Sequence, residues 1–266
     1  MREVVIITGA SQGIGYSLSE YLMNKGYKVY GLSRSPFIIN GVTHMKCDVT
    51  NEVEVNKVIN EIYELEGKID ILINNAGMGI SGSIEGSKLE DVRKIYEVNV
   101  FGTFITTKAI LPFMRKQKYG KIFNVGSVAS EFPIPFQAFY SSTKSSIKAF
   151  SEALNIEVKP YGIKVCTILP GDIKTEFTKN REKNVDEVLV YKERVSKSLD
   201  VMEKDEQNGY SVNYASRVIY KIIKKKNPPL NKTIGPKYKV MIFLKRILPN
   251  KLVNSIVGFI YGFRKE

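Results

Sequence analysis

Near its start this chain runs from four apolar residues, Val4-Val5-Ile6-Ile7, straight into Thr8-Gly9-Ala10-Ser11-Gln12-Gly13-Ile14-Gly15. A short apolar run stopped by glycine reads as a buried strand, and it is too short for the apolar core of a leader peptide. From about Ile14 to Lys25 the pattern changes to that of an amphipathic helix. A strand handed to a helix through a turn with three glycines is the opening unit of a βαβ fold. Gly9, Gly13 and Gly15 could serve the turn alone. They could equally let the backbone approach a pyrophosphate held at the helix N-terminus. Their spacing, G-x-x-x-G-x-G, differs from the commoner G-x-G-x-x-G dinucleotide fingerprint, so at this point both readings stay open.

The alternation continues. Lys28–Ser33 and Val42–Cys47 read as strands, Glu52–Leu65 as a helix, and Ile69–Ile73 as a strand that enters the turn Asn74-Asn75-Ala76-Gly77. One long helix is expected over about Val92–Gln117, then a strand at Lys121–Asn124, a helix from before Tyr140 to about Lys159, and a strand at Ile163–Leu169. The central strands are apolar runs rather than alternating ones, as in a parallel sheet covered on both faces. Glu176–Gln207 is dense in charge and reads as mobile helix and loop over a substrate mouth. Ser211–Lys226 reads as helix, Thr233–Gly235 as an edge strand, and Lys237–Ile247 and Lys251–Phe263 as helices split by Pro249. We therefore expect one α/β domain over 1–235 and a basic helical extension over 236–266.

Charge sharpens that division. The net charge is +13, yet the first 207 residues hold 27 basic and 26 acidic side chains. From Asn208 onward there are thirteen Lys and Arg against a single acid, Glu266. The excess belongs to the tail, and no nucleic-acid reading element accompanies it. The one histidine, His44, argues against a zinc site and gives no basis for a metal. Cys47 and Cys166 lie in apolar, strand-like contexts without C-x-x-C spacing, as expected in a reducing cytoplasm.

The second strand ends Gly31-Leu32-Ser33-Arg34-Ser35. An NAD site wants an acid there for the ribose hydroxyls. Ser33 and Arg34 stand in its place, and a guanidinium suits a 2′-phosphate, so NADP is favoured over NAD. Further on, Tyr140 and Lys144 are four apart and share a helix face. A free phenol titrates near pH ~10. A neighbouring ammonium stabilises the phenolate and lowers that value. Ser127, thirteen positions upstream, could bring a hydroxyl to the same reacting oxygen.

Taken together and in this order, these residues resemble the short-chain dehydrogenase/reductase family in its shorter, one-domain branch, over roughly Val4–Phe177. The turn Gly9, Ser11, Gln12, Gly13, Ile14 and Gly15 is similar to the family's cofactor turn. Asp48-Val49 resembles its adenine-contacting pair, and Asn75, Ala76 and Gly77 fall in its N-N-A-G. Asn99, Ser127, Tyr140 and Lys144 match its catalytic tetrad. Pro170, Gly171, Ile173 and Thr175 fall in its P-G-x-x-x-T segment, which closes on the nicotinamide. The resemblance implies a doubly wound, Rossmann-type parallel sheet in three α/β/α layers and a homo-oligomer, dimer or tetramer. It implies a carbonyl/alcohol oxidoreductase in which Tyr140 moves the proton, Ser127 holds the oxygen, Lys144 binds the nicotinamide ribose and lowers the pKa of Tyr140, and Asn99 supports Lys144 through water. A cofactor-binding sensor or scaffold is the competing class, disfavoured by the intact tetrad.

The substrate is less defined. Phe132, Pro133, Ile134, Pro135, Phe136, Phe139 and Phe177 could line a pocket for a lipophilic carbonyl compound or could be packing under a loop. The tail has no uncharged stretch long enough to span a bilayer. It could pack on its own domain or a partner subunit, act as a lid, or lie on anionic lipid as a peripheral contact.

Overall fold

The computed structural model describes residues 2–184 and 188–261. Residues 185–187 of the expected substrate loop and the end of the expected helix Lys251–Phe263 lie outside the described residues. In chain order the strands are β1 Val4–Thr8, β2 Lys28–Ser33, β3 Val42–Lys46, β4 Ile71–Asn74, β5 Ile80–Gly82, β6 Gly120–Val125, β7 Ile163–Pro170, β8 Ile173–Lys174, β9 Glu182–Asn184, β10 Tyr210–Ser211 and β11 Asn231–Ile234. The helices are α1 Gly13–Asn24, α2 Glu52–Glu66, α3 Leu89–Tyr96, α4 Gly102–Gln117, α5 Ala138–Glu157, α6 Lys192–Gln207, α7 Val212–Ile223, α8 Pro236–Ile247 and α9 Asn250–Ile260.

Among the described residues, seven strands make one sheet in the order β11-β7-β6-β4-β1-β2-β3, and every pairing in it is parallel. Parallel strands need crossovers, and the helices that supply them cover both faces. Val55, Ile59 and Ile62 of α2, Ile110 and Met114 of α4 and Leu154 of α5 bury one face. Leu18 and Leu22 of α1 and Ile219, Ile222 and Ile223 of α7 bury the other. The central strands β1, β4 and β6 are buried along their whole length; β1 and β4 are written as apolar runs up to their last residue, while β6 also buries Lys121 and Asn124. Strand order reverses between β1 and β4, so the carboxyl ends of those strands open a crevice where α/β sheets bind ligands.

The expected three-layer doubly wound fold is present. One element differs: the long helix over Val92–Gln117 is three pieces, α3, a π-helical turn Glu97–Phe101, and α4. The side chains there carry a continuous helical pattern, so the extra residue in the turn leaves no mark in periodicity. Its cause is polar: the turn carries Asn99 fully buried, aimed away from the sequence-local neighbours. The charge-dense segment after Thr175 is partly ordered by β9 pairing with β5 and by α6, which buries Val195, Leu199 and Met202. The expected edge strand near Thr233 is β11, beside β7. Both cysteines are free and buried.

Candidate active site

The glycine turn is held from behind. Gly9 has φ 66°, and a Cβ there would come within 2.8 Å of the Ala76 Cα. A Cβ on Gly15 would collide with the Gly9 carbonyl and the Asn75 amide. Thr8 Oγ1 accepts from the backbone N–H of Asn75 and of Ala76, each at 3.0 Å. The Asn75 amide donates to the carbonyls of Thr8 (3.0 Å) and Gly9 (3.1 Å). Asn75 thus clips the turn to the end of β4. Gln12 precedes α1 without giving a side-chain cap, so the first N–H groups of that helix face open space. A Cβ on Gly13 would sit 3.6 Å from the Thr175 side chain. A chain of atoms without side-chain bulk therefore bounds a cradle between the turn and the Thr175 loop, a shape suited to a pyrophosphate.

At the far end of the cradle, Ser33 is buried, with its hydroxyl donating to the Ser35 carbonyl at 2.6 Å and lying 3.2 Å from His44 Nε2. The hydroxyl is thereby engaged in the loop. Arg34 is open, its side chain 71% exposed and its Nη1 4.0 Å from Asp48 Oδ2. Asp48 Oδ1 accepts from the Thr50 N–H (2.9 Å) and hydroxyl (2.8 Å). Val49 is buried, and a Cβ on Gly102 would come within 2.8 Å of it.

Tyr140 and Lys144 stand one turn apart on α5, with Lys144 Nζ 5.7 Å from the phenol ring centroid. Lys144 is buried and donates to the Val125 carbonyl at the end of β6 at 3.0 Å. Ser127 caps the short turn Val128–Ser130 by accepting from the Ala129 N–H at 3.1 Å, and its hydroxyl also acts on the Tyr140 phenol. The Phe177 ring lies 5.7 Å from that of Tyr140. Burial pushes the Tyr140 phenol up to about 12, against the pull of the Ser127 hydroxyl and of the Arg181 charge, with Glu206 and Asp172 adding to the rise. Burial alone brings Lys144 down to about 8. The expected lowering of the phenol by Lys144 is not among these influences; desolvation of the pair disfavours charge on both partners.

Asn99 does not bond Lys144. Its amide donates to the Met78 carbonyl (3.0 Å) and to Thr143 Oγ1 (3.1 Å), and its oxygen accepts from the Met78 N–H (2.9 Å). It ties the loop after β4 to α5. A Cβ on Gly77 would lie 3.2 Å from the Asn99 oxygen and 3.5 Å from Lys144 Nζ, so glycine keeps this junction clear. On the third side, Ile173 joins β8 to β10, Thr175 Oγ1 accepts from the Phe177 N–H at 3.1 Å, and Gly171 lies flat against the Tyr238 ring.

The site residues read from sequence converge. Gly9, Ser11, Gln12, Gly13, Ile14, Ser33, Arg34, Asp48, Val49, Asn75, Ala76, Gly77, Ser127, Tyr140, Lys144, Pro170, Gly171, Ile173 and Thr175 all line one cavity of about 690 Å³. Gly15 and Asn99 lie behind its wall. Three features escaped sequence reasoning. Glu206, on the wall, pairs with the buried Arg181 and accepts from Thr178. Asn74 joins Thr106, Thr107 and Asn124 in a buried network beneath the floor. Tyr238 of α8 donates its hydroxyl to Asp172. Each links residues far apart in sequence, and although Asn74 opens the N-N-A-G turn, that motif does not disclose its partners.

Comparison with known proteins agrees with this geometry. A family model for short chain dehydrogenases matches residues 3–186. Over 268 residues the chain is 39% identical to 3-ketodihydrosphingosine reductase of Bacteroides thetaiotaomicron, covering 98% of this chain and 99% of that protein. A solved short-chain dehydrogenase from Streptomyces avermitilis has the same fold at TM-score 0.82 and 26% identity, covering 93% of this chain and 94% of the other. The structure of ElxO with NADP bound matches at TM-score 0.76 and 26% identity, covering 90% of this chain and 100% of that one. The matched segment runs from β1 through the Tyr140 helix to the loop beyond Thr175, and the kinship with a named reductase is near full length: this chain belongs to the short-chain dehydrogenase/reductase family and is an oxidoreductase.

Proposed function

We propose that this chain is an NADPH-dependent reductase of lipophilic carbonyl compounds, working through Tyr140. The observation that carries the substrate class is a second, mainly apolar hollow of about 550 Å³, walled by Ile84, Ile134, Pro135, Phe136, Ala138 and Tyr191 together with Ser83, Glu85 and Arg194. Ile134 also lines the cavity that holds Tyr140, so the two share a wall. A carbonyl beside Tyr140 can lay an apolar chain across Ile134 into that hollow. The relative from Bacteroides thetaiotaomicron, named for the reduction of 3-ketodihydrosphingosine, supports the same class.

In this reading the backbone of Gly9, Ser11, Gln12 and Gly13 holds the pyrophosphate, Asp48 and Val49 flank the adenine, and Arg34 meets the 2′-phosphate. Pro170, Ile173 and Thr175 bound the nicotinamide end. The NADP-bound structure of ElxO supports the cofactor. When bound, NADPH supplies the hydride. Tyr140 gives its proton to the carbonyl oxygen as charge develops there, which completes the alcohol; its raised pKa keeps it protonated for that task through the neutral range. Ser127 holds the same oxygen by a hydrogen bond. Lys144 binds the ribose from its anchored position on Val125, and Asn99 is a positioning residue that fixes the loop before it. A screen of NADPH consumption over ketones of graded chain length, quinones, acyl thioesters and steroids tests the reading. Rising kcat/KM with apolar length is expected. A preference for small polar carbonyls, or no consumption with any of them, overturns it.

A further inference from the structure

The last two helices expose an apolar surface that nothing among the described residues covers. α8 turns Tyr238 inward and α9 turns Val253 and Val257 inward. Val240, Phe243, Leu244 and Ile247 on α8, and Leu252, Ile256, Phe259 and Ile260 on α9, are between 42% and 64% exposed. On each helix these positions recur at helical spacing and form one stripe. Single exposed apolar residues are ordinary, but eight large ones within two short consecutive helices mark a contact surface.

The charge beside the stripes selects the occupant. Lys237, Lys239, Arg246 and Lys251 are exposed on the same two helices, and residues 208–265 contain no acid. A second copy of the chain would bring the same cationic excess against this one. An anionic bilayer offers the opposite sign and accepts apolar side chains at its surface. Among the described residues no helix is long and apolar enough to cross a membrane, and Pro249 precedes α9 and separates the two stretches. The helices therefore lie along a surface rather than through it.

We propose that α8 and α9 seat this protein on the surface of an anionic lipid bilayer and that the substrate reaches the site from the lipid. The second half rests on the lipophilic substrate proposed above. Both ends of the surface reach the site. Tyr238 lies against Gly171 and donates to Asp172 on the cavity wall. Tyr261, just after α9, packs against the cluster of Val195, Leu199 and Met202 on α6, the same cluster against which Ile134, Phe136 and Tyr191 of the second hollow pack. Docking thus sets the hollow beside the bilayer.

The test is co-sedimentation of the full chain with vesicles of phosphatidylcholine and phosphatidylglycerol in equal parts, and with phosphatidylcholine alone, at low and high salt. Two variants are compared: Phe243→Ser with Phe259→Ser, which keeps the charge, and Arg246→Gln with Lys251→Gln, which keeps the apolar stripes. Binding that favours the anionic vesicles, weakens with salt and drops about tenfold or more in each variant is expected. Turnover of a short, water-soluble ketone should stay at the wild-type level in both variants, while turnover of a vesicle-borne long-chain ketone falls with binding. No binding to anionic vesicles at low salt, or equal binding by wild type and variants, overturns docking. Dissociation of an oligomer by the serine variant without change in vesicle binding overturns it in favour of a second copy. If vesicles bind as expected but no ketone, short or long, is reduced, docking stands and the proposed function fails instead.

Discussion

Two side chains set the electrostatics of the site, and both pay for burial. Lys144 has its folded pKa brought down to about 8 from the ordinary lysine value, so between those values the unfolded chain holds a proton that the folded one has released. Stability from this group accordingly rises as pH increases through that window and is smallest below it. Because Tyr140 and both cysteines are raised and act in the opposite sense at higher pH, the comparison needed is wild type against Lys144→Met. Denaturant titrations of the two proteins are expected to show a difference that grows in favour of wild type by up to about 3 kcal/mol from neutral pH to the lysine's ordinary range. A pH-independent difference would show that the lysine is not perturbed. Arg34 works at the opposite end of the cavity, exposed and held only by a long contact to Asp48. Replacing it by alanine should weaken NADPH binding by about 1.5–3 kcal/mol while leaving NADH binding nearly unchanged. Titration of both nucleotides checks this, and equal loss for the two would mean that Arg34 does not read the 2′-phosphate.

The elements explain how these residues meet. Tyr140 and Lys144 need only the helical repeat of α5, which is why they are legible from their spacing. The glycine turn is equally local, since Gly9, with φ 66° and Ala76 pressed against it, admits no side chain. The π-helical turn at Glu97–Phe101 is different. Nothing in its pattern departs from a helix, and its register is imposed by partners at Met78 and Thr143, about twenty and forty residues away. The same holds for β5, β8, β9 and β10, two- or three-residue strands defined entirely by distant partners. Asn75 is expected as a cofactor contact and lines the cavity; its side chain also fastens the glycine turn to β4, a use that composition alone cannot reveal. Asn99 gives the direct test of the π turn. In Asn99→Ala the Met78 N–H and carbonyl and the Thr143 hydroxyl lose their buried partner. Loss of about 1–3 kcal/mol of stability is expected, read from the denaturation midpoint, with a larger fall in kcat than in KM. A variant as stable as wild type would show that water replaces the amide without cost.

Across the whole molecule, the crevice at the reversal of strand order lies beside a second hollow, with Ile134 lining both, and the last two helices pack behind them. α8 reaches the loop after β7 through Tyr238, and the segment after α9 reaches α6 through Tyr261. The part of the chain least predictable from its family pattern thus packs against residues that border the site, and this packing leaves its exposed stripes unused. The proposed reduction depends on Tyr140 being the proton donor in a cavity that binds NADPH without its help. The most direct measurement sets NADPH affinity and steady-state carbonyl reduction side by side in wild type and Tyr140→Phe. Turnover is expected to fall by about 10²–10⁴-fold, with NADPH affinity within about twofold of wild type because the phenol hydroxyl is the only group removed. Retention of most of the activity in the phenylalanine variant would contradict the central claim.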